Sequence, residues 1–439
     1  MANKHILLTV LTLFILGIPA YGQITGGRCK MDQHPNLILV GSPPFQYYQL
    51  ETYLTLECPE TSWRVYVRNS DRGLQVGPVF LSRKPGDSVM ILKLANVAEN
   101  ITLYHDGGAR LNDSQFADRF NAIPRLNASD LDANGMLVRT GFFDSDVVAA
   151  ELRSYGFAWY CTWGLADSIS RRGMEMTLWG VWDTGNYDYI IEYTFRDDGR
   201  MSFRVGATGW DNPKDGPTET AHTHDLLWRV DINLGSGIKN TARLWTHQET
   251  SPSAVDYEVL FNNGQEGAMD LDDLHFATLV IEDDDPATRN AHNHRMGYEL
   301  HVLKDGAGRH YGANEQWTLH DVWVTRFSQN ESDVSFASGD NWKPADTYLL
   351  GNSANGFGVF NREQIYFTDL VVWPVTTAHH EPHDEDQAVG DPGFLYKGIT
   401  LIHWSGFDLI PRNVFDANPL GAPHRQSCHG AAIISPREK

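Results

Sequence analysis

Over most of its length the chain breaks into short runs in which β-branched and aromatic residues alternate with polar ones, separated at close intervals by Gly, Pro, Asn and Asp. This period-two pattern selects strands over helices. The clearest hairpin runs through 189–195, the turn Asp197-Asp198-Gly199 and 201–205. Further strands are predicted at 89–94, 226–232, 277–281, 298–303, 317–327 and 364–373, with one short helix at 145–155. At 439 residues and 41% hydrophobic the chain can bury a large core. We therefore expect an all-β protein, one large antiparallel β-sandwich over residues 63–439 after an N-terminal extension at 23–62. The acidic run Glu282-Asp283-Asp284-Asp285 reads as a solvated loop.

Residues 1–22 read as a secretion signal: Lys4 and His5, an apolar stretch over 6–18, then Pro19-Ala20-Tyr21-Gly22. The stretch is shorter than the roughly 20 apolar residues of a membrane span, so no stable span is expected after cleavage, with an uncleaved anchor as the alternative. A secreted chain agrees with four Asn-x-Ser/Thr sequons, at Asn100, Asn112, Asn127 and Asn330. Cys29, Cys58, Cys161 and Cys428 can form two disulfides in an oxidising compartment; three pairings are open, and the local Cys29–Cys58 loop is favoured. A formal charge of −21 argues against nucleic acid as a partner, because phosphate binding demands clustered Lys and Arg.

His222 and His224 are two residues apart, and on an extended strand such a pair points to one face and can share an ion. A third imidazole would complete a three-nitrogen site, for which copper(II) has the highest affinity. His292-Asn293-His294 has the same form but lies beside the acidic run. Around the first pair three pieces stand in order: Asn186-Tyr187-Asp188-Tyr189, His222-Thr223-His224, and Asp369-Leu370-Val371-Val372-Trp373 leading to His380-Glu381-Pro382. In these pieces the chain resembles the copper/topaquinone amine oxidases. The similarity continues through Gly206-Ala207-Thr208-Gly209, Trp323-Val324-Thr325-Arg326 and Gly406-Phe407-Asp408-Leu409, and covers most of the chain from about Trp63 onward.

The resemblance implies copper held by His222, His224 and His380, with the adjacent His379 facing away. It implies that Tyr187 is the precursor of topaquinone, the carbonyl that forms a Schiff base with the amine, flanked by Asn186 and Asp188. Tyr104 would hydrogen-bond the quinone, Phe116 would be the gate and Asp118 the base that takes the α-proton; Asp113 is an alternative base. A calcium-type site would draw on Asp231, Asn233 and Asp369 with the backbone of Ile232 and Leu370. The expected protein is a secreted homodimeric oxidase acting on a primary amine and O2. Asp183 beside the tyrosine, and shortened segments before Tyr187 and before His222, open a second reading: a secreted copper-binding or structural protein without turnover. A carbohydrate-binding sandwich is a third, since 13 Trp and 17 Tyr could line a groove.

Overall fold

The computed structural model describes residues 23–421 apart from 42, 44, 71–72, 85, 106–109, 114–122, 141–144, 164–166, 211–220, 236, 251–252, 272–276, 304–315, 328–361 and 387–398. Seven strands come first: β1 (Ile24–Gly26), β2 (Cys29–Val40), β3 (Tyr47–Glu57), β4 (Ser62–Ser70), β5 (Gly73–Lys84), β6 (Asp87–Tyr104) and β7 (Arg110–Asn112). The middle of the chain supplies β8 (Gly135–Thr140), β9 (Ser145–Trp163), β10 (Asp167–Asp183), β11 (Tyr187–Arg196), β12 (Met201–Gly209), β13 (His222–Ile232), β14 (Asn240–Thr250) and β15 (Ser253–Leu260). The last strands are β16 (Gly267–Met269), β17 (Ala277–Asp283), β18 (Gly297–Leu303), β19 (Val322–Arg326), β20 (Leu370–His380) and β21 (Thr400–Arg412).

These strands build two antiparallel sheets. One runs β1-β2-β3-β4-β5-β6-β13-β20-β19-β16 with β7 on β6; the other runs β15-β14-β17-β18-β21-β12-β11-β10-β9-β8. Aromatic residues fasten the two together. Tyr193 and Phe203 of the second sheet pack edge-on to Trp228 of the first, with ring centroids 6.0 and 6.1 Å away, and Phe407 stacks on Phe203 at 4.5 Å. Such pairs contribute about 0.5–1.5 kcal/mol each beyond their buried area. The buried Tyr193 hydroxyl crosses between the sheets and shares its one hydrogen between the Leu74 and Ala95 carbonyls.

The hairpin read from the sequence is β11 with β12, and β11 keeps the alternating burial of a half-buried strand. Strand β13 differs, being buried along its whole length because it is flanked by β6 and β20 and covered on both faces. Residues 145–155 form no helix: they open the 19-residue β9, where Val147 and Val148 suit a pleated partner and β10 pairs along the strand. Only 322–326 of the run 317–327 is a strand, after a 3-10 turn at Gln316–Leu319. The acidic run is not a solvated loop either. Glu282 and Asp283 end β17 and, with Asp284, are buried, where Arg243 and Arg295 pair with Glu282 and Asp284.

Residues 24–57 continue the first sheet through β1, β2 and β3, and the Cys29–Cys58 disulfide closes β2 onto the end of β3. Cys161 carries a free thiol, and Cys428 lies outside the described residues. Asn100 and Asn112 are buried, so the sequons there cannot carry glycans in the folded protein; Asn127 is exposed and Asn330 lies outside the described residues. No helix among the described residues is long and apolar enough to cross a membrane.

Candidate functional site

Register builds the site. Tyr104, His222 and His380 lie directly opposite one another across β6, β13 and β20, and Thr102 lies opposite His224 one pleat further along. Directly opposed residues share a face, so His222, His224 and His380 project together into the space between the sheets. The histidines are at most 1% exposed. From the facing sheet Tyr187, the first residue of β11, enters among them. Its hydroxyl lies 2.9 Å from His222 Nε2, 3.4 Å from His380 Nδ1 and 3.3 Å from Thr400 Oγ1. Adjacent to it the chain tolerates only glycine: at Gly209 (φ 137°) a Cβ would meet the Asn186 carbonyl at 2.4 Å and Tyr187 Cα at 2.7 Å.

The turn before Tyr187 is fixed by its own polar groups. Thr184 donates through both N–H and Oγ1 to the Tyr187 carbonyl, and Gly185 N–H donates to Asp183 Oδ1. Asp183 therefore caps the turn and points away from the tyrosine ring. It does face Asp188 across the β10–β11 pair, and burial together with that neighbouring charge raises the Asp188 pKa. Asn186 donates to the Tyr104 hydroxyl and to the Trp210 carbonyl, both at 3.0 Å. The Tyr104 ring lies 4.6 Å from that of His222.

Behind the imidazoles stand Asp386, His403 and Thr102, which the sequence left unassigned, and Asp113, which it offered as a base. His380 Nε2 donates to the buried Asp386 at 2.8 Å, which leaves Nδ1 to face Tyr187. His403, on β21, brings a fourth imidazole 5.0 Å from the His380 ring. His224 Nδ1 contacts Thr102 and Tyr189, which both bond Asp113. Burial, joined by the neighbouring imidazoles, holds the His224 pKa well below the usual range, so the ring is neutral. Burial likewise raises the Asp113 carboxyl to about 6 against the two hydroxyls that stabilise its charge.

The donor set fits a late first-row transition ion: three buried imidazoles, of which His224 presents an Nε2 with no hydrogen-bond partner. The imidazoles are spaced more widely than ligands closed on one ion. Among the described residues the one group of three whose ligating atoms all lie within 4.8 Å of one another is Cys29, Cys58 and Asp197, and that is a disulfide beside a carboxylate. The Tyr187 hydroxyl stands between His222 and His380 and accounts for part of the spread. His379 turns away to stack with His105, and the rival His292 and His294 lie in an exposed turn where His292 bonds the Asp416 carbonyl. Asp118 and Phe116 lie outside the described residues.

Asp231, Ile232, Asn233, Asp369 and Leu370 also come together, at the other end of β13 and β20, where Ile232 pairs with Leu370. They do not fit calcium. Lys93 reaches from β6 to pair with Asp369 and to face Asp231, and Arg229 Nη2 lies 3.2 Å from Asp231 Oδ2. Two carboxylates are thus balanced by two cations, and a dication would add two uncompensated charges beside the buried Arg229–Asp231 pair.

Comparison with known proteins adds an independent line. The sequence profile of a family described as copper amine oxidase, enzyme domain, matches residues 154–428, which takes in Tyr187 and the three histidines but not Tyr104, Phe116 or Asp118. Primary amine oxidase 2 of Arabidopsis thaliana is 23% identical over 276 residues, 57% of this chain and 38% of that protein. Amine oxidase [copper-containing] 2 of Homo sapiens is 26% identical over 295 residues, 58% of this chain and 35% of that protein. The matched region is thus little more than a third of the length of either relative. Among solved structures, the copper-containing benzylamine oxidase from Hansenula polymorpha shares the fold with a TM-score of 0.64 at 14% identity, over 91% of this chain and 80% of that one. Pichia pastoris lysyl oxidase does so with 0.62 at 17%, over 84% and 53%.

Proposed function

The chain belongs to the copper amine oxidase family through that family's enzyme domain, and we propose that it is a secreted oxidase converting a primary amine, dioxygen and water into an aldehyde, ammonia and hydrogen peroxide. The observation that carries this reading is the Tyr187 hydroxyl lodged between His222 and His380, with His224 buried beside it and its Nε2 without a hydrogen-bond partner. When bound, copper and the topaquinone derived from Tyr187 supply an electron sink that unmodified side chains lack.

The chain's own residues do the rest. His222, His224 and His380 hold the ion as neutral imidazoles, and Asp386 keeps His380 turned with Nδ1 inward. Asn186, held by Tyr104, and the Thr184 turn fix the backbone at residue 187 and so aim its ring at the histidines. Asp118 takes the α-proton of the bound amine, and Phe116 closes the approach. The Cys29–Cys58 disulfide supports an oxidising compartment outside the cell. The long β9–β10 hairpin, with Phe157, Tyr160 and Ile169 exposed towards its far end, supports a homodimer clasped by such arms.

The wide spacing of the imidazoles favours a second reading, a copper-binding protein without turnover. Aerobic copper loading separates the two. The oxidase reading expects a quinone stain and a mass gain on the peptide that carries Tyr187, and peroxide release with a primary amine; unmodified Tyr187 in copper-replete protein would leave only the second.

A further inference from the structure

We propose that Asp113 is a positioning residue that sets the tautomer of His224 through two hydroxyl groups, so that Nε2 of that imidazole faces the centre as a bare lone pair. Its use in metal binding rests on the copper reading above; the tautomer itself does not.

The available hydrogens fix the tautomer. Thr102 Oγ1 donates to Asp113 Oδ2 across 2.7 Å, and the Tyr189 hydroxyl donates to the same oxygen. Each hydroxyl has one hydrogen, and although the two oxygens also lie 3.2 Å apart, the carboxylate is the strongest acceptor either meets and takes both hydrogens. His224 Nδ1 lies 3.0 Å from Thr102 Oγ1 and 2.9 Å from the Tyr189 oxygen. Neither oxygen has a hydrogen left for it, so Nδ1 must be the donor. A neutral imidazole carries one ring hydrogen, and Nε2 is therefore the lone pair. That atom is the one left buried without a hydrogen-bond partner.

The relay is specified by the fold. Thr102 stands opposite His224 in the β6–β13 register, Asp113 directly follows β7 where that strand pairs with 101–103 of β6, and Tyr189 arrives from the facing sheet. Asp113, Thr102, Tyr189 and His224 are 4%, 1%, 0% and 1% exposed, so bulk water cannot stand in for any member. Asp113 is thus spent on two hydroxyls behind a ligand imidazole, which removes it as the alternative base for the amine. His380 is oriented the opposite way and directly, with Asp386 taking its Nε2–H and leaving Nδ1 inward, whereas His224 is turned Nε2-inward through hydroxyls that tie both sheets to one carboxylate.

The test is nitrogen NMR of the metal-free full chain with 15N-labelled histidine, His224 being assigned by its loss in His224→Ala. The wild type should show His224 as the Nδ1–H tautomer. In Asp113→Asn the amide can donate to Thr102 and Tyr189, whose hydroxyls then turn on Nδ1, so the ring should convert to Nε2–H. Copper affinity in a chelator competition should fall by about ten- to a hundredfold, as for other outer-shell partners. An Nε2–H ring in the wild type overturns the proposal, as does an Asp113→Asn variant with unchanged tautomer and unchanged affinity. If that variant fails to fold, the wild-type spectrum decides alone. Failure of the copper reading has a different signature: full copper stoichiometry retained in His224→Ala, whatever the tautomer.

Discussion

Strands β13 and β20 lie side by side and end in two unlike polar clusters. At one end His222 faces His380; at the other Ile232 faces Leu370, with Asp231 and Asp369 next to them. The histidine end is buried, the other end is buried at Asp231 and Asn233 and half-buried at Asp369, and both gather side chains with ligand chemistry. At the histidine end burial keeps His224 neutral and leaves its Nε2 without a hydrogen-bond partner, and no Lys or Arg pairs with the three imidazoles in the contacts described above. At the carboxylate end Lys93 and Arg229 already balance the charge. Each acid there still has a buried Oδ1 without a hydrogen-bond partner, so what separates the ends is charge balance rather than a lack of oxygen donors. A set of metal-ligand residue types in register is thus insufficient to define a metal site.

The largest effects should fall at the histidine end. Tyr187→Phe should abolish amine-dependent peroxide release while copper content stays at the wild-type level. Asp118→Asn should still form the quinone but oxidise amine on the order of a hundredfold or more slowly. His224→Ala should lose more copper affinity than the outer-shell variant, whereas Asp231→Ala should leave copper content untouched. Loss of copper in Asp231→Ala, measured on protein that keeps its native circular dichroism, would break the separation of the two ends.

Next in size is the cost of opening the carboxylate end. Arg229 and Asp231 are 4% and 3% exposed in their side chains, so Arg229→Met strands a buried acid and should cost about 3–5 kcal/mol in urea unfolding. A change under about 1 kcal/mol would mean that Lys93 alone can balance Asp231, and the cluster would be looser than its geometry implies.

How far the sequence revealed each end follows from what pattern can encode. Period-two spacing and chain order single out His222, His224 and His380, because facing follows from alternation and the hairpin 189–205 is local. The partners behind them are not local. Asp386 is one of four acids between His380 and Gln387, and nothing in the string distinguishes it from Glu381, Asp384 or Glu385. Asp113 reads as a base in sequence because its role depends on a short edge strand and on a tyrosine from the other sheet. Lys93 looks like any strand lysine until the register of β6 against β13 places it beside Asp231 and Asp369. Residues 145–155 mislead for the same reason: a long antiparallel partner outweighs local helical spacing.

The two ends should also respond to pH with opposite sign. Burial, partly offset by Arg229 and Lys93, raises Asp231 from 3.8 to about 6. A folded-state value above the unfolded one means that the folded protein holds the proton more tightly. This group's stabilisation is fully present below the unfolded value and is lost as pH rises through about 6, a swing of up to about 3 kcal/mol. His224 acts the other way: its lowered value makes acidification below the ordinary imidazole range destabilising. Asp231→Asn should therefore lose only the first component, seen as a smaller stability deficit relative to wild type at pH 7.5 than at pH 4.5. A deficit independent of pH would show that Asp231 stays ionised throughout.

The smallest effect is the most direct test of the contrast. Lys93→Met removes one of the two cations while leaving Asp231, Asn233, Asp369 and the backbone of Ile232 and Leu370 in place. The cluster then carries one net negative charge, with two buried Oδ1 atoms free to turn on an ion. Millimolar calcium should leave the wild-type melting temperature unchanged. It should raise that of Lys93→Met by about 2 °C or more, since ligand at a hundredfold over its Kd contributes about 2.7 kcal/mol to the folded state. Magnesium should do less, because it keeps its waters and demands a stricter octahedron than these strand ends provide. If calcium stabilises the wild type as much as the variant, Lys93 yields its place to the ion, and both ends of the β13–β20 pair are metal sites after all.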